Sequence, residues 1–580
     1  MKPQLQQLFT RAINQLKAQE ILPEEHQVEA QFERTRQKEH GDFATNVAMT
    51  LAKPARKNPR ELAQLIIQAL PEDPLIDNIE IAGPGFINVF LAQQSRYEVL
   101  NQVFAQQQRF GLAQENSRDR ILIEFVSANP TGPLHVGHGR GAAYGDALAR
   151  VLKAAGYTVE SEYYVNDAGR QMDILAISVW VRYLQALDQN IDLPDNAYQG
   201  EYVTRMAESI VSDHADAYRL NAEQFKAVRQ GLDDEAALDA TIALAKEELG
   251  VKGFAVFFEL ALNSIRDDIC EDLEEFGVKY DTWFSERSLF DNGKITSALD
   301  TLKSSGDVYQ KGGAWWFKGT AYGDEKDRVV VRDNGQPTYF ASDIAYHHDK
   351  IARGFDLTIN VWGSDHHGYI PRVKASLQAL GLDPEKLKVL LVQFAVLYRS
   401  GEKISMSTRS GEFVSLRDLR KEIGSDAARF FYAMRKSEQH MDFDLDLAKE
   451  QSNDNPLYYV QYAHARICRL FENAQQQKVD LETLDKADFS LLNSAHENKL
   501  LSLIARLPET INKAANDYEP HQINYYLRDI ATAFHSYYNT SKFLQAEPAQ
   551  RDAMLALCKA TQHVLHNGLT VLGVSAPESM

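Results

Sequence analysis

The spacing of hydrophobic residues changes near Arg120, and this change predicts the start of a central domain. The run ILIEFV is apolar almost throughout and predicts a buried strand. HVGHGRGAAYGDALARVLKAAG then repeats its apolar residues at helical spacing up to Gly156, and YTVESEYYV predicts a second strand. Strand, helix and strand in this order indicate a βαβ unit, so a doubly wound parallel sheet is expected.

The parallel-sheet pattern returns later in the chain. DLTINVW predicts a strand, YIPRVKASLQAL predicts a helix, and VLLVQFAVL predicts one further strand. The segment from about 181 to 290 is mostly helical in pattern. It is interpreted as an insertion into a single α/β domain.

The two ends of the chain have different patterns from the centre. Residues 1–113 mix helical spacing with IEIAGPGFINVFL, whose Gly83, Pro84 and Gly85 predict a turn between two strands, so a small α+β domain is expected. After about residue 415 strand signals vanish, which predicts a closing helix bundle. The predicted domains are 1–113, 114–400 with the insertion 181–290, a connecting region 401–451, and a helical domain 452–580.

Composition agrees with a multidomain globular protein. The chain has 580 residues, 44% of them hydrophobic and 25% charged, with a mean hydropathy of -0.38. No apolar run is long enough to cross a bilayer and no signal segment is evident, so neither membrane insertion nor secretion is expected. Three widely spaced cysteines argue against disulfides and thiolate zinc sites, and a reducing cytoplasmic location is predicted.

The net charge of -19 is unevenly distributed. Residues 181–290 hold 23 acidic and 10 basic side chains, whereas the stretch Lys53–Arg60 holds four basic side chains and no acid. Because nucleic-acid binding needs a local basic face rather than a basic total, this stretch is a candidate contact. A solvated loop or helix start explains it equally well.

Candidate chemistry begins in the loop after ILIEFV. Ligands of open α/β sheets bind beyond the carboxyl ends of the strands, and here a helix opens with His135 and His138 beside unpaired backbone N–H groups. Such a helix start can bind polyphosphate, and Gly137 leaves room for a flat base. Two histidines that merely cap the helix are the alternative.

Several polar residues suggest a second part of the same site. Glu124 lies within an apolar strand and needs a cationic partner, and Asn129 follows in the loop. Tyr339 and Asp343 lie one helical turn apart, and a guanidinium would satisfy such a pair well. A helix cap with a packed ring is the simpler alternative for these two residues.

Two later loops complete the candidate site. Gly363, Asp365 and His366 follow a predicted strand, where a carboxylate can hold a ribose diol; zinc is a weaker alternative because no fourth ligand is evident. The loop Gly401–Gly411 carries two cations and four hydroxyls. It is interpreted as a mobile lid over phosphates or, alternatively, as an exposed hairpin.

Together these motifs resemble class I aminoacyl-tRNA synthetases, and arginyl-tRNA synthetases in particular, over nearly the whole chain. HVGH is similar to the HIGH signature of that class, and SMSTR stands where KMSKS is expected. YYVNDAGRQ, YDTWFSE, GSDHHGY, DAARFFY and NPLYYVQYAHAR resemble arginyl enzymes. The segment similar to the HIGH region consists of Ala128, Asn129, Pro130, Thr131, Gly132, Pro133, Leu134, His135, Val136, Gly137 and His138.

The resemblance implies a Rossmann-like catalytic domain that activates L-arginine with ATP and Mg²⁺ and transfers it to the 3′ end of arginine tRNA. By position it assigns catalysis to His135, His138, Lys403 and Arg409. It assigns ATP binding to His135, Gly137, His138, Gly363, Asp365, His366, Met406 and Ser407. It assigns arginine binding to Glu124 and Asn129 at the α-ammonium and to Tyr339 and Asp343 at the guanidinium.

The resemblance also implies roles for the flanking domains. Residues 1–113 would contact the tRNA elbow, residues 401–451 would form the signature loop and contact the acceptor stem, and residues 452–580 would be an all-α anticodon-binding bundle. A monomer with no resident metal is expected. In the helix after Asn455, one stripe has core spacing and a second is aromatic and basic, which predicts tRNA contact. The core stripe is Leu457, Val460, His464, Ile467 and Phe471, and the second is Tyr459, Tyr462, Arg466 and Arg469.

This chain departs from the family pattern at four positions. Ser405 and Thr408 stand where the signature loop has lysines, and Gly132 stands where some relatives carry a compensating lysine. Lys403 or Arg409 must therefore supply the cation for pyrophosphate. Ser579 replaces an arginine that is frequent near the C-terminus. Two other functions remain open, a class I enzyme for another amino acid and a non-catalytic RNA-binding relative, although the latter would have lost the active-site residues.

Overall fold

The structure is a computed structural model that describes residues 1–26, 28–35, 37–404 and 414–580. Within these ranges no helix combines the length and apolar character that a membrane span requires. The chain divides into two compact units, which are described separately below. The first contains 1–110, 466–507 and 529–564, and the second contains 111–465, 508–528 and 565–580.

The N-terminal part of the first unit is an α+β fold, as its sequence pattern predicts. Its four strands form an antiparallel sheet in the order β1-β2-β4-β3, and Gly83 and Gly85 have positive φ in the turn that joins the last two. Its elements are α1 (Lys2–Ala18), β1 (Glu33–Arg34), β2 (Phe43–Thr45), α2 (Val47–Ala55), α3 (Pro59–Ala69), β3 (Ile76–Ala82), β4 (Phe86–Leu91) and α4 (Gln93–Gln106).

The second unit contains the predicted βαβ pattern and the long helical insertion. Its elements up to the middle of the chain are β5 (Arg120–Phe125), α5 (Val136–Ala154), β6 (Thr158–Val165), α6 (Arg170–Ala186), α7 (Glu201–His214), α8 (Ala222–Ala227), α9 (Asp234–Glu275), β7 (Thr282–Ser285), α10 (Arg287–Asp291), α11 (Lys294–Ser305), β8 (Val308–Lys311), β9 (Ala314–Phe317) and β10 (Arg328–Val331). A kink interrupts α9 at Gly250, whose φ is 59°.

The second half of the chain completes the sheet and then becomes helical. The remaining elements are α12 (Tyr339–Ala352), β11 (Leu357–Gly363), α13 (Ile370–Ala379), β12 (Leu387–Val392), β13 (Ala395–Arg399), β14 (Glu402–Lys403), α14 (Leu416–Ile423), α15 (Ser425–Ala433), β15 (Met441–Asp444), α16 (Leu445–Lys449), α17 (Pro456–Gln476), α18 (Ala495–Ile504), α19 (Leu507–Asn516), α20 (His521–Thr540) and α21 (Pro548–Val571).

The central sheet confirms the predicted doubly wound architecture. Its five strands are all parallel and have the order β12-β11-β5-β6-β7. The chain first winds outward from β5 through β6 to β7 and then returns to the other side of β5 with β11. The order therefore reverses between β5 and β11, and the crevice beyond these two strands is where such folds bind ligands.

Three sequence interpretations of strands are wrong in detail. VLLVQFAVL is two strands rather than one, because β12 joins the parallel sheet whereas β13 pairs with β14 and β15 in another sheet. β7 lies inside the segment that was expected to be helical and pairs with β6. β15 follows the point at which strands were expected to end. These strands are only 4–6 residues long, too short for a clear periodic pattern.

Close packing of α5 on β5 depends on Gly145. A Cβ at this position would lie 2.6 Å from Phe125 Cβ and overlap its ring, so the helix lies directly on the strand. Phe125 is fully buried and cannot move aside. The position of the loop between β5 and α5 therefore depends on the absence of a side chain at Gly145.

We expect Gly145→Ala to destabilise the second unit by about 1–3 kcal/mol, because the added methyl overpacks the interface between α5 and β5. Thermal and urea unfolding would measure the change. Gly141→Ala, four residues earlier on the same helix, is the matched control. Its Cβ meets no atom within 4 Å, so it should stabilise the helix by about 1 kcal/mol. Equal effects of the two substitutions would contradict this packing argument.

Candidate active site

A cavity of about 500 Å³ lies at the crevice between the ends of β5 and β11. It collects side chains from widely separated parts of the chain, including every predicted arginine-binding residue and several predicted ATP-binding residues. The predicted residues that line it are Glu124, Ala128, Asn129, His135, Gly137, His138, Tyr339, Asp343, Gly363, Asp365 and His366. The sequence motifs therefore converge on one site.

The loop that leads into the cavity starts with a strained turn. Val126 and Ser127 have φ values of 68° and 44°, a left-handed conformation that is unusual for a β-branched residue such as Val126. The Ser127 hydroxyl donates to Glu124 Oε1 at 3.0 Å and accepts from Tyr164 N at 3.1 Å. Two strands thus hold the turn in this conformation, and the chain is directed back across the cavity.

His135 and His138 form a stacked pair at the start of α5. His135 Nδ1 accepts a hydrogen bond from Gly137 N at 3.0 Å, and His138 Nδ1 accepts one from His135 N at 3.3 Å. Burial lowers the pKa of both rings, and that of His138 falls to about 3. Both rings are therefore neutral near pH 7, and since Nδ1 accepts, the proton of each ring is on Nε2. These are hydrogen-bond donors suited to an anionic oxygen.

Gly137 is required by the same arrangement. A Cβ there would lie 2.7 Å from His135 Cε1 and 3.3 Å from Phe394 Cδ1. The helix start is also tied to the segment after residue 413, because Val136 N donates to Val414 O at 3.1 Å and Leu416 N donates to Leu134 O at 2.9 Å. The chain that leaves the predicted lid is thus fixed beside the two histidines.

Glu124 has the cationic partner that its burial demands. Lys350, from α12, donates to Glu124 Oε2 and to Asn360 Oδ1, the latter at 2.8 Å. Glu124 and Asn360 are directly opposite each other on β5 and β11. The ammonium group therefore bridges the two strands at the point where the strand order reverses, and all three side chains are buried.

Asp343 and Glu286 supply two further acidic groups to the cavity. Burial, together with the nearby charges of Glu286 and Glu124, raises the pKa of the Asp343 carboxyl to about 7. Burial also raises the pKa of Glu286, whose Oε2 has no hydrogen-bond partner among the residues that the structure describes. Two neighbouring carboxyl groups that line one cavity form a site that favours a positively charged ligand.

The other predicted residues line the edges of the cavity. Tyr339 is 49% exposed and begins α12. Asn129 is exposed, and its Oδ1 accepts from Asn166 Nδ2 at 3.1 Å. Asp365 and His366 are also exposed, with 3.6 Å between Asp365 Oδ2 and His366 Nε2. In the described ranges, no group of three or more His, Cys, Asp or Glu residues could hold a metal ion.

Other predicted residues either do not line the cavity or lie outside the described residues. Lys403 is exposed on β14, and Met406, Ser407 and Arg409 lie outside the described residues. On α17 the predicted core stripe is buried throughout. On the second stripe Tyr459, Tyr462 and Arg466 are partly exposed and Arg469 is exposed. Arg466 donates to His535 Nδ1 at 3.2 Å and to Asn539 Oδ1 at 3.4 Å.

Sequence reasoning did not select Glu286, Lys350, His347 or Asn360 as site residues. A signal existed for two of them, because Asp343, His347 and Lys350 are spaced by four and three residues and lie on one face of α12. Glu286 follows the short strand β7, which was itself not predicted. Polar residues in buried elements therefore point to this site as clearly as the loop motifs do.

Models of known protein families match most of the chain. The model of the arginyl tRNA synthetase N-terminal domain matches residues 3–91, the class I (R) tRNA synthetase catalytic domain matches residues 99–442, and the DALR anticodon binding domain matches residues 460–580. Together with the parallel sheet and the histidine pair at its crevice, these matches define a class I aminoacyl-tRNA synthetase.

Full-length relatives narrow the assignment. The arginine–tRNA ligase of Thioalkalivibrio sulfidiphilus is 55% identical over 589 residues, and that of Hydrogenovibrio crunogenus is 52% identical over 592 residues; both alignments cover 100% of each chain. The arginyl-tRNA synthetase structure of Thermus thermophilus has the same fold, with a TM-score of 0.73, 22% identity and 100% coverage of each chain. The chain belongs to the arginyl-tRNA synthetase family of class I.

The reaction follows from this membership. The enzyme activates L-arginine with ATP to form arginyl-AMP and then transfers the arginyl group to the 3′ end of arginine tRNA, with release of pyrophosphate and AMP. A class I enzyme for another amino acid and a non-catalytic relative, the two alternatives left open by the sequence, are thereby excluded.

The raised pKa of Asp343 predicts a pH dependence for arginine binding. A cationic guanidinium favours the ionised carboxylate, which is lost as pH falls through about 7. The KM for arginine should therefore rise about tenfold between pH 8 and pH 6. Arginine-dependent pyrophosphate exchange, measured with saturating ATP and tRNA, would test this.

Two variants make the test specific. Asp343→Asn should abolish the pH dependence and weaken arginine binding by about 2–5 kcal/mol even at pH 8, because one side of a buried charge pair is gone. Asp365→Asn, in the segment that follows β11, should leave the arginine profile unchanged. An Asp343→Asn enzyme with the original KM and profile would show that another group recognises arginine.

Proposed function

We propose that the cavity divides into an arginine half and an ATP half. In the arginine half, Asp343, Glu286 and Tyr339 bind the guanidinium, and Asn129 and Glu124 are near the α-ammonium. The observation that carries this proposal is the pair of carboxyl groups that line this half, Asp343 and Glu286, because Glu286 is buried and its Oε2 has no hydrogen-bond partner among the described residues. The Asp343→Asn measurement described above tests it.

In the ATP half, His135 and His138 would stabilise the phosphate at which arginine attacks. Both are neutral donors at the N-terminus of a helix, where the backbone dipole also favours negative charge. Gly137 would admit the adenine, and Gly363, Asp365 and His366 would face the ribose. In-line displacement at phosphorus requires such positioned donors more than covalent chemistry.

Mg²⁺ would accompany ATP. The described part of the chain has no cluster of metal ligands, which fits an ion held mainly by phosphate oxygens and water. Among the side chains assigned to the ATP half, the exposed carboxylate of Asp365 is the type of oxygen ligand that Mg²⁺ prefers. The ion would offset the negative charge of the leaving pyrophosphate.

We assign tRNA contacts to the flanking domains. Residues 1–113 would contact the tRNA elbow, with the Lys53–Arg60 stretch as one contact, although Lys57 is paired with Glu61 at 3.0 Å. Residues 401–451 would form the signature loop and contact the acceptor stem, and residues 452–580 would bind the anticodon. The enzyme would act as a cytoplasmic monomer.

Lys403 is the proposed replacement for the missing signature lysines. It is exposed on β14, just before the loop, and its long side chain could reach the β and γ phosphates. Lys403→Ala should lower the rate of arginyl-AMP formation roughly tenfold to a thousandfold with little change in arginine KM. Single-turnover adenylation measures this. If Arg409→Ala has this effect and Lys403→Ala has not, Arg409 is the cation.

The exposed stripe on α17 predicts a separate effect on tRNA. Tyr462→Ala combined with Arg469→Ala should raise the KM for tRNA, because a stacking surface and a phosphate contact are lost. Arginine activation at saturating tRNA should stay nearly intact. Glu472→Gln is the control, since it removes the 2.7 Å ion-pair partner of Arg469 but leaves its charge. An unchanged tRNA KM in the double variant would exclude this stripe from the interface.

A further inference from the structure

A buried hydrogen-bonded chain runs beneath the arginine half of the cavity. Lys350 Nζ donates to Glu124 and to Asn360 Oδ1, and Asn360 Nδ2 lies 2.8 Å from His347 Nε2. His347 Nδ1 lies 2.8 Å from the backbone oxygen of Asp343. The chain thus connects a carboxylate on β5 with the backbone of the acidic residue proposed to bind the guanidinium.

Lys350, the first residue of this hydrogen-bonded chain, determines the direction of every hydrogen bond in it. An ammonium group can only donate, so Asn360 faces Lys350 with its oxygen and must face His347 with its NH₂ group. His347 Nε2 therefore accepts, and the ring carries its single proton on Nδ1, which donates to the Asp343 oxygen. The ring is neutral, because burial and the charge of Lys350 lower the pKa of His347 to about 3.

The same lysine also adjusts the charge of the cavity. Several titratable or charged groups act on the Asp343 carboxyl, and their sum determines whether it is ionised. They come from β5, β6, the residue after β7, α13 and α12 itself, and they are Glu124, Tyr164, Glu286, Arg372, Lys350 and the neutral His347. Of the two cations, Lys350 is buried and paired with Glu124, so its loss cannot be replaced by solvent.

We propose that Lys350 is a positioning residue for arginine recognition, which cancels the charge of Glu124 and, through Asn360 and His347, holds the Asp343 backbone in place. The proposal rests on the proposed arginine half of the cavity. It separates two roles of one side chain, electrostatic and positional. The electrostatic role is read from the midpoint of the pH dependence of arginine KM, and the positional role from variants of His347 that remove no charge.

The electrostatic role is tested with Lys350→Met. Without the ammonium group the charge of Glu124 is no longer cancelled, and it should raise the pKa of Asp343 further. The midpoint of the pH dependence of arginine KM should then shift upward by about one pH unit, while ATP KM stays unchanged. The double variant Lys350→Met with Glu124→Gln restores the charge balance and should return the pH dependence to its original position. A Lys350→Met profile that overlays that of the unaltered enzyme, or a shift that persists in the double variant, overturns the electrostatic role.

The positional role is tested with His347→Leu, which breaks the chain but removes no charge. Arginine KM should rise roughly tenfold at every pH, because Asp343 is displaced while its ionisation is unchanged. His347→Gln, which can still accept from Asn360 and donate to the Asp343 oxygen, should recover most of the loss. An unchanged arginine KM in His347→Leu overturns the positional role.

These outcomes are distinct from a failure of the proposed arginine site. That failure would appear as an unaffected arginine KM in Asp343→Asn, whatever Lys350 does. If Lys350→Met does not fold, as judged by its thermal unfolding and ATP KM, Glu124→Gln alone decides the electrostatic role, because the uncancelled charge of Lys350 should shift the midpoint of the pH dependence downward. The two His347 variants then decide the positional role. All assays use the full chain with arginine tRNA present.

Discussion

The ion pair between Glu124 and Lys350 is the constraint on which the arrangement of this active site depends. It joins β5, β11 and α12 at the one place in the parallel sheet where the strand order reverses. A carboxylate in a central strand is costly to bury alone, and a lysine in a buried helix face is equally costly. Each charge offsets the cost of burying the other. The pairing fixes α12, and Asp343 on this helix lines the cavity.

Around this pair the proposed division gives the cavity two contrasting halves. The proposed arginine half has two acidic groups, Asp343 and Glu286, which would attract a positively charged amino acid. The other half has neutral donors at a helix N-terminus, His135 and His138, and therefore favours phosphate. The strained turn at Val126 and Ser127 lines the cavity, and its cost, about 1–3 kcal/mol per residue, must be met by packing elsewhere. The contact of Gly145 with Phe125 is part of that packing.

Much of the local structure could be predicted from the sequence. β5, α5 and β6 follow from unbroken apolar runs and helical spacing, and the N-terminal hairpin follows from Gly83 and Gly85. The short strands β7 and β15 could not be predicted, because a few residues carry no periodicity and their pairing partners are distant in the chain. The same holds for the break at Gln393 and Phe394, where one apolar run serves two different sheets.

The sequence by itself determined the family and the loop motifs, since His135, His138 and Asp365 are recognisable from their immediate neighbours. It also showed that Glu124 needs a cation. Only the tertiary structure decided which cation, because Lys350 lies 226 residues further along the chain and reaches Glu124 through the pairing of β5 with β11 and the packing of α12. Burial likewise decided that the histidine pair is neutral and that Asp343 titrates near pH 7. Proton affinities depend on desolvation and neighbouring charges, which a linear sequence does not contain.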